Sequence, residues 1–452
     1  MPSAGYAKPG CRPRRRLLTD VIAALATPPG RSALALIRLS GRGAFTAAAR
    51  CLEPFSASPA RTVFRARLVH PESREPVDHC LAACFPAPHS YTGEDLVEIS
   101  THGGLVVPAA ALAALAAAGA RPAAPGEFTR RAVLNGKMDL LQAEATADLI
   151  DAGSPAQRRR ALQQLERGLS DRLAALRRDI LELEALIAYD IDFPEEDEGP
   201  VNPEAVRRAW GVVRDRVSDL LKTAPEGERL REGALLVIAG PPNAGKSSLF
   251  NALLGTERAI VTEIPGTTRD AIEAHAVIEG FPFRLVDTAG LRDADERIER
   301  LGIEVSKKYL AAADLVLFCE ERDEPARAAF LAEIRAPIVV VRTKADLGGD
   351  GVSVASGTGL PELKRRLAEV AFGRLLALGD VEPVVTRARH RVALERALAE
   401  VEGFWAARTS GVDAAAAATH LRAAVLALDD LIGAVTPDDV LDRVFAAFCV
   451  GK

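Results

Sequence analysis

The chain is narrowed first by what it lacks. None of its 452 residues falls in a run long and apolar enough to span a bilayer; the longest, in 109–118, is short and Ala-rich. An excess of positive charge is missing too. The 57 Lys and Arg stand against 62 Asp and Glu, a net charge of −5, which argues against a uniformly basic nucleic-acid binder but not against a local basic face. Six cysteines are scattered, at Cys11, Cys51, Cys80, Cys84, Cys319 and Cys449, with no C-x-x-C pair. Cys80 and Cys84 have no second pair of ligands, so they read as structural residues rather than a zinc site, and the usage fits a reducing cytoplasm. No repeat of fixed period is visible. What remains is a globular composition, 48% hydrophobic and 26% charged, of a length that suggests two to four domains. A cytoplasmic protein with no stable membrane association is expected.

Residues 1–16 are rich in basic residues, Lys8, Arg12, Arg14, Arg15 and Arg16. Asp20 interrupts the apolar run that follows, and Thr27-Pro28-Pro29-Gly30 ends it without a small-residue cleavage site. A disordered extension is expected there.

The chain is organised around Leu235–Gly255, LLVIAGPPNAGKSSLFNALLG. The apolar run Leu235–Ala239 reads as a buried strand, Gly240–Ser247 is G-x-x-x-x-G-K-S, and an amphipathic run begins at Ser248. Gly240 and Gly245 lack a Cβ, so backbone N–H groups and a helix N-terminus can close around a triphosphate. Lys246 would reach the β- and γ-phosphates, and the Ser247 hydroxyl would bind Mg²⁺.

Ahead of this loop, Asp20–Thr27 and Leu34–Leu39 read as two strands joined by a turn. Val63–Val69, His79–Phe85 and Asp95–Ser100 read as further strands, and an Ala/Leu helix ends near Gly119. Together they predict an α+β domain. Helical texture begins near Lys137, with one helix over Leu140–Asp151. A long one is expected to carry a single stripe through Leu162, Leu165, Leu169, Leu173, Leu176, Ile180, Leu183 and Ile187. Glu195–Glu198 reads as a solvated loop, and Pro203–Leu221 as another helix. Beyond the P-loop segment, helices are expected at Arg387–Ala407, Asp413–Val435 and Pro437–Phe448. Helices on both sides imply a nucleotide domain inserted into a helical one. The predicted boundaries are 17–135, 136–230, 231–377 and 378–452, the second and last being two parts of one helical domain.

Four further motifs follow the P-loop in order. Thr262-Glu263-Ile264-Pro265-Gly266-Thr267-Thr268 is a switch-type loop. Asp287-Thr288-Ala289-Gly290 ends an apolar strand, where Asp287 would hold a metal-bound water and the Gly290 N–H would touch the γ-phosphate. Thr343-Lys344-Ala345-Asp346 resembles the guanine-reading N-K-x-D, its carboxylate accepting both N–H groups of the guanine edge. Ser353-Val354-Ala355 resembles the last base-binding loop. With Asn243, Ala244, Gly245, Lys246, Ser247 and Ser248, these segments predict a GTP site. Thr343 stands where Asn is usual, and one hydroxyl cannot supply both an amide donor and a carbonyl acceptor. Weaker guanine affinity is therefore expected, with specificity resting on Asp346. Leu291 follows D-T-A-G where Ras-like enzymes carry a water-orienting Gln. Glu299 is a candidate for that work, although by its sequence context it is equally a surface helix charge.

Taken together, T-P-P-G-R at Thr27–Arg31, S-Y-T-G-E-D-L-V-E-I-S with H-G-G over Ser90–Gly104, and the run Pro125–Ile150 resemble the MnmE (TrmE) family. So do G-P-P-N-A-G-K-S-S, P-G-T-T-R-D and the final Cys449-Val450-Gly451-Lys452. The resemblance covers residues 18–452. It implies a multidomain α/β and α+β protein: a tetrahydrofolate-binding N-terminal α+β domain, a discontinuous helical domain and an inserted Ras-like P-loop G domain. It implies a GTPase that is a homodimer. With the FAD-binding partner MnmG (GidA), in a heterotetramer or larger complex, it would add a carboxymethylaminomethyl-type group to C5 of the wobble uridine of certain tRNAs. The implied cofactors are Mg²⁺, K⁺, GTP and a 5-formyl- or 5,10-methylene-tetrahydrofolate, with FAD and NADH through the partner. Arg38, Glu98, Lys137 and Lys452 would line the folate site. Asn243, Thr262, Ile264 and Thr267 would ligate K⁺. Ser247 and Thr268 would ligate Mg²⁺, and Glu299 would orient water. Cys449 would stand near the reaction site. Without the resemblance, Arg38, Glu98 and Lys137 read as surface charges and Cys449 as a small apolar residue.

A different class stays open, a regulatory GTPase of the ribosome-assembly type without folate chemistry. Such proteins usually append an RNA-binding module after the G domain, where this chain has a helical return.

Overall fold

The computed structural model describes residues 20–57, 61–192, 202–255, 273–287, 307–322, 332, 334–379, 382–433, 441, 444, 445 and 448–451. The chain divides into two compact units, residues 1–143 with 435–452, and residues 144–434.

The first unit is built on a seven-stranded sheet of order β3-β4-β5-β6-β2-β1-β7. Its elements are β1 (Ile22–Leu25), β2 (Gly30–Ser40), α1 (Ala44–Cys51), β3 (Leu52–Glu53), β4 (Val63–Val69) and β5 (Pro76–Phe85). They continue with β6 (Leu96–Gly104), α2 (Val106–Ala117), β7 (Arg121–Pro122) and α3 (Glu127–Leu134). Strand β2 alternates: Ala35, Ile37 and Leu39 are buried while Leu36 and Arg38 are half-buried. Such alternation is what one covered sheet face dictates. The covering is Ala-rich, with Ala44, Ala47 and Ala48 of α1 and Ala111, Ala114 and Leu115 of α2 against Ile37, Leu39, Val97 and Ile99. Small helix residues let both helices lie close to the sheet. Each large aliphatic residue so buried stabilises the fold by about 1.5–3 kcal/mol. The antiparallel β2–β6 pairing sets Arg38 directly opposite Glu98 on the other face.

The last described residues also belong to this unit. The Gly126 N–H donates to the Cys449 carbonyl at 3.3 Å. Gly451 has φ +98°, and a Cβ there would run into the Leu25 carbonyl, so the position demands glycine. Residues 1–16 and most of the expected helix at 437–448 lie outside the described residues.

Helix α4 (Leu140–Asp151) leads from one unit to the other. The second unit continues with α5 (Pro155–Leu165), α6 (Gly168–Asp192), α7 (Pro203–Leu221) and α8 (Ala224–Glu232). The single long helix predicted from the leucine stripe is thus two helices. Arg167 adopts φ +72°, a left-handed residue that ends α5, and Gly168 begins α6. Leu169, Leu173, Leu176, Ile180, Leu183 and Ile187 are buried along α6, whereas Leu162 on α5 is 39% exposed. The three- and four-residue steps run through the break without losing phase, so spacing alone could not reveal it. Helix α8 was not predicted. Pro225 sits in the first turn, where the missing N–H costs nothing.

Next come β8 (Ala234–Ala239), α9 (Lys246–Leu254), β9 (Glu273–Ile278), β10 (Phe281–Asp287), β11 (Leu315–Glu320), β12 (Ile338–Arg342) and α10 (Leu360–Leu378). Every residue of β8 and β11 is buried, as strands covered on both faces must be. The five-stranded sheet runs β12-β11-β8-β10-β9, parallel except where β9 pairs antiparallel with β10. The β9–β10 turn is the two residues Glu279-Gly280, both at positive φ, as a tight hairpin requires. Helices α11 (Ala388–Thr409) and α12 (Ala414–Ile432) end the unit. Trp210 of α7 stacks on Trp405 of α11 at 4.7 Å between ring centroids and donates to the Val401 carbonyl.

Candidate functional site

The glycine loop joins the C-terminal end of β8 to α9, the position at which open parallel sheets bind ligands. Gly240 has φ +141° and lies so close to the Cys319 carbonyl that a side chain would collide with it. Burial pushes the Cys319 thiol up to about 12, so it is a neutral filler beneath the loop. Asn243 takes φ +62° and is exposed. Lys246 is buried, its amine donating to the Pro241 carbonyl at 2.7 Å, the cross-loop bond of a closed phosphate cradle. The Ser247 hydroxyl donates to Asp287 Oδ2 at 2.6 Å. Asp287 ends β10, which lies beside β8 in parallel, with Asp287 opposite Ile238. The first turn of α9 and the end of β10 thus deliver a hydroxyl and a carboxylate to one point. Both are hard oxygen donors of the kind Mg²⁺ takes, and they fit the ion predicted there.

On the far side of the sheet β12 leads into Thr343-Lys344-Ala345-Asp346. The exposed Asp346 carboxylate accepts the Ser353 hydroxyl at 2.7 Å. Its carboxyl is held below the usual range, chiefly by that bond. Ser353 is buried, while Val354 and Ala355 are exposed beside it. One Asp346 oxygen is therefore fixed from behind and the carboxylate is aimed outward. Lys344 has φ +60°, and its amine pairs with Glu321 at 2.9 Å. Thr343 is buried. Its hydroxyl donates to the Ala244 carbonyl at 2.8 Å and lies 3.3 Å from the Glu320 carbonyl. This strut from the base-reading loop to the phosphate loop was not foreseen in the sequence, where Thr343 reads only as a missing amide. Its partner is a main-chain carbonyl 99 residues away in sequence.

Thr262, Glu263, Ile264, Pro265, Gly266, Thr267, Thr268, Thr288, Ala289, Gly290, Leu291 and Glu299 lie outside the described residues, as does Lys452. Of the predicted K⁺ ligands only Asn243 is described.

In the first unit Arg38 and Glu98 form an ion pair at 2.9 Å, with side chains 18% and 27% exposed. The Arg38 guanidinium lies 5.3 Å from the centroid of the Tyr91 ring. Tyr91 donates to or accepts from the Thr129 hydroxyl at 2.9 Å. Lys137 is exposed and donates to the Pro88 carbonyl at 3.0 Å, and its stem packs beside Gly93. The loop carrying Tyr91 is secured from behind. Thr92 bonds Ser40 at 2.7 Å, and Asn135 donates to the Thr92 carbonyl at 2.7 Å. The fully buried Arg131 binds Glu94, Asp20 and Glu127. Burial alone would raise the Glu127 carboxyl, but hydrogen bonds from Arg121, the Ala124 N–H and Arg131 outweigh it and hold the group at about 2. Arg38, Glu98 and Tyr91 thus make a cation, an anion and an aromatic on the sheet face opposite α1 and α2, a donor set that fits a pterin and an acidic tail. Tyr91 and Arg131 were not among the predicted site residues. Cys449 is exposed, whereas Cys51, Cys80, Cys84 and Cys319 are buried.

A phosphate loop, a Ser–Asp oxygen pair and an outward-facing carboxylate on one mostly parallel sheet define a P-loop GTP hydrolase. Comparison with known families then places the whole chain. The model of the MnmE helical domain matches residues 140–449, and that of the GTP-binding protein TrmE N-terminus matches 21–137. The tRNA modification GTPase MnmE of Moorella thermoacetica is 40% identical over 96% of this chain and all of its own length. The protein of the same description from Methylorubrum populi is 43% identical over 96% of this chain and 98% of its own. Among solved structures, the G domain of the T. maritima FeoB iron transporter is 27% identical over 30% of this chain and 98% of that one, with a TM-score of 0.23. The chain belongs to the MnmE family.

Proposed function

We propose that this protein couples GTP hydrolysis to tRNA modification, adding a carboxymethylaminomethyl-type group to C5 of the wobble uridine together with an FAD-binding partner of the MnmG type. The observation that carries the proposal is the meeting of Ser247, in the first turn of α9, with Asp287, at the end of β10, at 2.6 Å in a chain of this family. Lys246 would exchange its bond to the Pro241 carbonyl for the β- and γ-phosphates, and the loop N–H groups would carry the rest of the charge. Ser247 and Thr268 would hold Mg²⁺, with Asp287 holding a water bound to it, and the ion would neutralise charge on the phosphates. Asp346 would accept the guanine N–H groups. Glu299 would orient the attacking water, since Leu291 cannot, and Asn243 with Thr262, Ile264 and Thr267 would hold K⁺, which adds positive charge there. In the first unit Arg38 would bind the acidic tail of a tetrahydrofolate, which supplies the one-carbon unit, and Glu98 would accept from the pterin edge, with Lys137 and Lys452 at the rim. Cys449 would stand near that chemistry. Homodimerisation through the first unit and a cytoplasmic location complete the proposal.

Two measurements test it. GTP turnover is expected to be far faster in K⁺ than in Na⁺ at fixed ionic strength, and equal rates overturn the potassium site. Nucleosides of tRNA from a deletion strain are expected to lack the C5 modification at the wobble position. A full complement would instead favour a regulatory GTPase.

A further inference from the structure

We propose that this site reads guanine without a hydrogen bond from residue 343 to N7, because the one proton of the Thr343 hydroxyl is already given to the Ala244 carbonyl. The inference rests on the guanine-nucleotide assignment above. A purine joins its ribose through N9, and N7 lies in the same five-membered ring. N1 and the exocyclic amine lie on the six-membered ring. With the phosphates in the loop 240–247 and the N1 edge on Asp346, the five-membered ring passes over the stretch between them. Thr343 occupies that stretch, its Cβ and Oγ1 standing 3.6 Å from the point where a Cβ on Gly245 would lie.

A threonine hydroxyl has one proton to give. Here it goes to the Ala244 carbonyl at 2.8 Å, and the second neighbour, the Glu320 carbonyl at 3.3 Å, is another acceptor. Toward a base the hydroxyl therefore offers only lone pairs, and N7 is a lone pair as well. Two neighbouring main-chain donors are engaged as well. The Thr343 N–H goes to the Glu320 carbonyl at 2.9 Å, and the Ala345 N–H to the Val352 carbonyl at 3.3 Å. One proton of the Lys344 ammonium goes to Glu321. An Asn at 343 would differ in kind, because its amide carries two protons. One would keep the strut to Ala244 and the other would face the base. The threonine keeps the mechanical link between the two loops and gives up the contact.

The test titrates the full-length chain with GDP, 7-deaza-GDP and ADP by calorimetry. Replacing N7 by C–H leaves the N1 edge intact, so GDP and 7-deaza-GDP are expected to bind within about twofold, less than a lost neutral hydrogen bond would cost. ADP is expected to bind far more weakly. A tenfold or greater loss with 7-deaza-GDP overturns the inference, while ADP binding as well as GDP overturns the guanine assignment beneath it. Thr343→Asn sharpens the result: the variant is expected to favour GDP over 7-deaza-GDP by about 3–10-fold, the worth of one new hydrogen bond. If it binds both equally, Thr343 does not face N7 and the inference is wrong. If the variant does not fold, the wild-type pair of titrations still decides.

Discussion

The two sheets of this chain solve the placing of a polar site in opposite ways. The five-stranded sheet is buried on both faces along β8 and β11, whose one charged residue, Glu320, is the last of β11, and its site collects at the strand ends and in the loops beyond. The seven-stranded sheet carries its polar pair on the face opposite α1 and α2, where the register of β2 against β6 sets Arg38 beside Glu98. In the first case the side chains are held by loop geometry, positive φ angles and main-chain bonds. In the second they are held by strand pairing and by the buried Arg131 cluster behind the Tyr91 loop. A parallel site is therefore assembled from distant segments, whereas the antiparallel one comes from a pair of adjacent strands. Damage to the two should differ in kind and remain local.

The largest effect is expected at the strand-end site. Glu299→Ala should lower GTP turnover about 10²–10⁴-fold, the usual weight of one oriented catalytic group. Folate binding, followed by tetrahydrofolate fluorescence, should be unchanged; a parallel loss would show that the two sites are not independent. Next in size, Asp346→Asn should weaken GDP binding about 10–100-fold, since hydrogen bonds to a charged acceptor are removed. Xanthosine diphosphate should then bind better than GDP, and calorimetry with both nucleotides checks it. In the seven-stranded sheet, Arg38→Ala should weaken binding of a polyglutamylated folate by about tenfold and leave GTP turnover untouched. An equal loss with an analogue lacking the glutamate would move Arg38 from the tail to the pterin.

The smallest effect concerns acid. The folded-state carboxyl of Glu127 is depressed from an ordinary 4.5 to about 2. Its contribution is therefore present above pH 4.5 and is lost as pH falls from there toward 2. Glu127→Gln should flatten the acid-unfolding curve of the full chain in that window, measured by circular dichroism, while the neutral-pH melting temperature falls because Arg121 and Arg131 lose their partner. An unchanged acid limb would mean that other carboxylates set it.

Legibility in the sequence followed the same division. The strand Leu235–Ala239 and the glycine loop with the helix after it were plain, because a strand buried on both faces is a continuous apolar run and that loop has one purpose, whereas α10 was not read. Helix α4 was read with its observed ends for a similar reason, lying between Asp139 and the Gly153-Ser154-Pro155 break. The break at Arg167 was not legible, since it rests on one residue's left-handed backbone in a stripe that stays in phase. Local rules identified Asp346 as a base acceptor, but not the Ser353 hydroxyl that orients it. The strut from Thr343 depends on a carbonyl, which every residue has and no residue type announces. The cluster of Glu144 with His390 and Arg389, at 2.7 and 2.6 Å, was equally hidden, joining α4 to α11 across 246 positions. Arg38 and Glu98 illustrate the intermediate case: alternation puts each on a strand face, but only the register makes them neighbours.

One clasp has a mechanical meaning. Where the chain enters the nucleotide sheet, the Thr223 hydroxyl accepts the Val385 N–H at 3.1 Å, and Gly227 lies so close to the Val385 carbonyl that no side chain could fit. Entry and exit of the whole segment between them are thus stitched side by side. A force applied to the two ends of the protein would pass through the clasp and bypass the loop of chain beyond it. In a single-molecule pulling experiment the nucleotide segment should add its length only after the clasp has ruptured, so its strength sets the tension that the GTP site can survive.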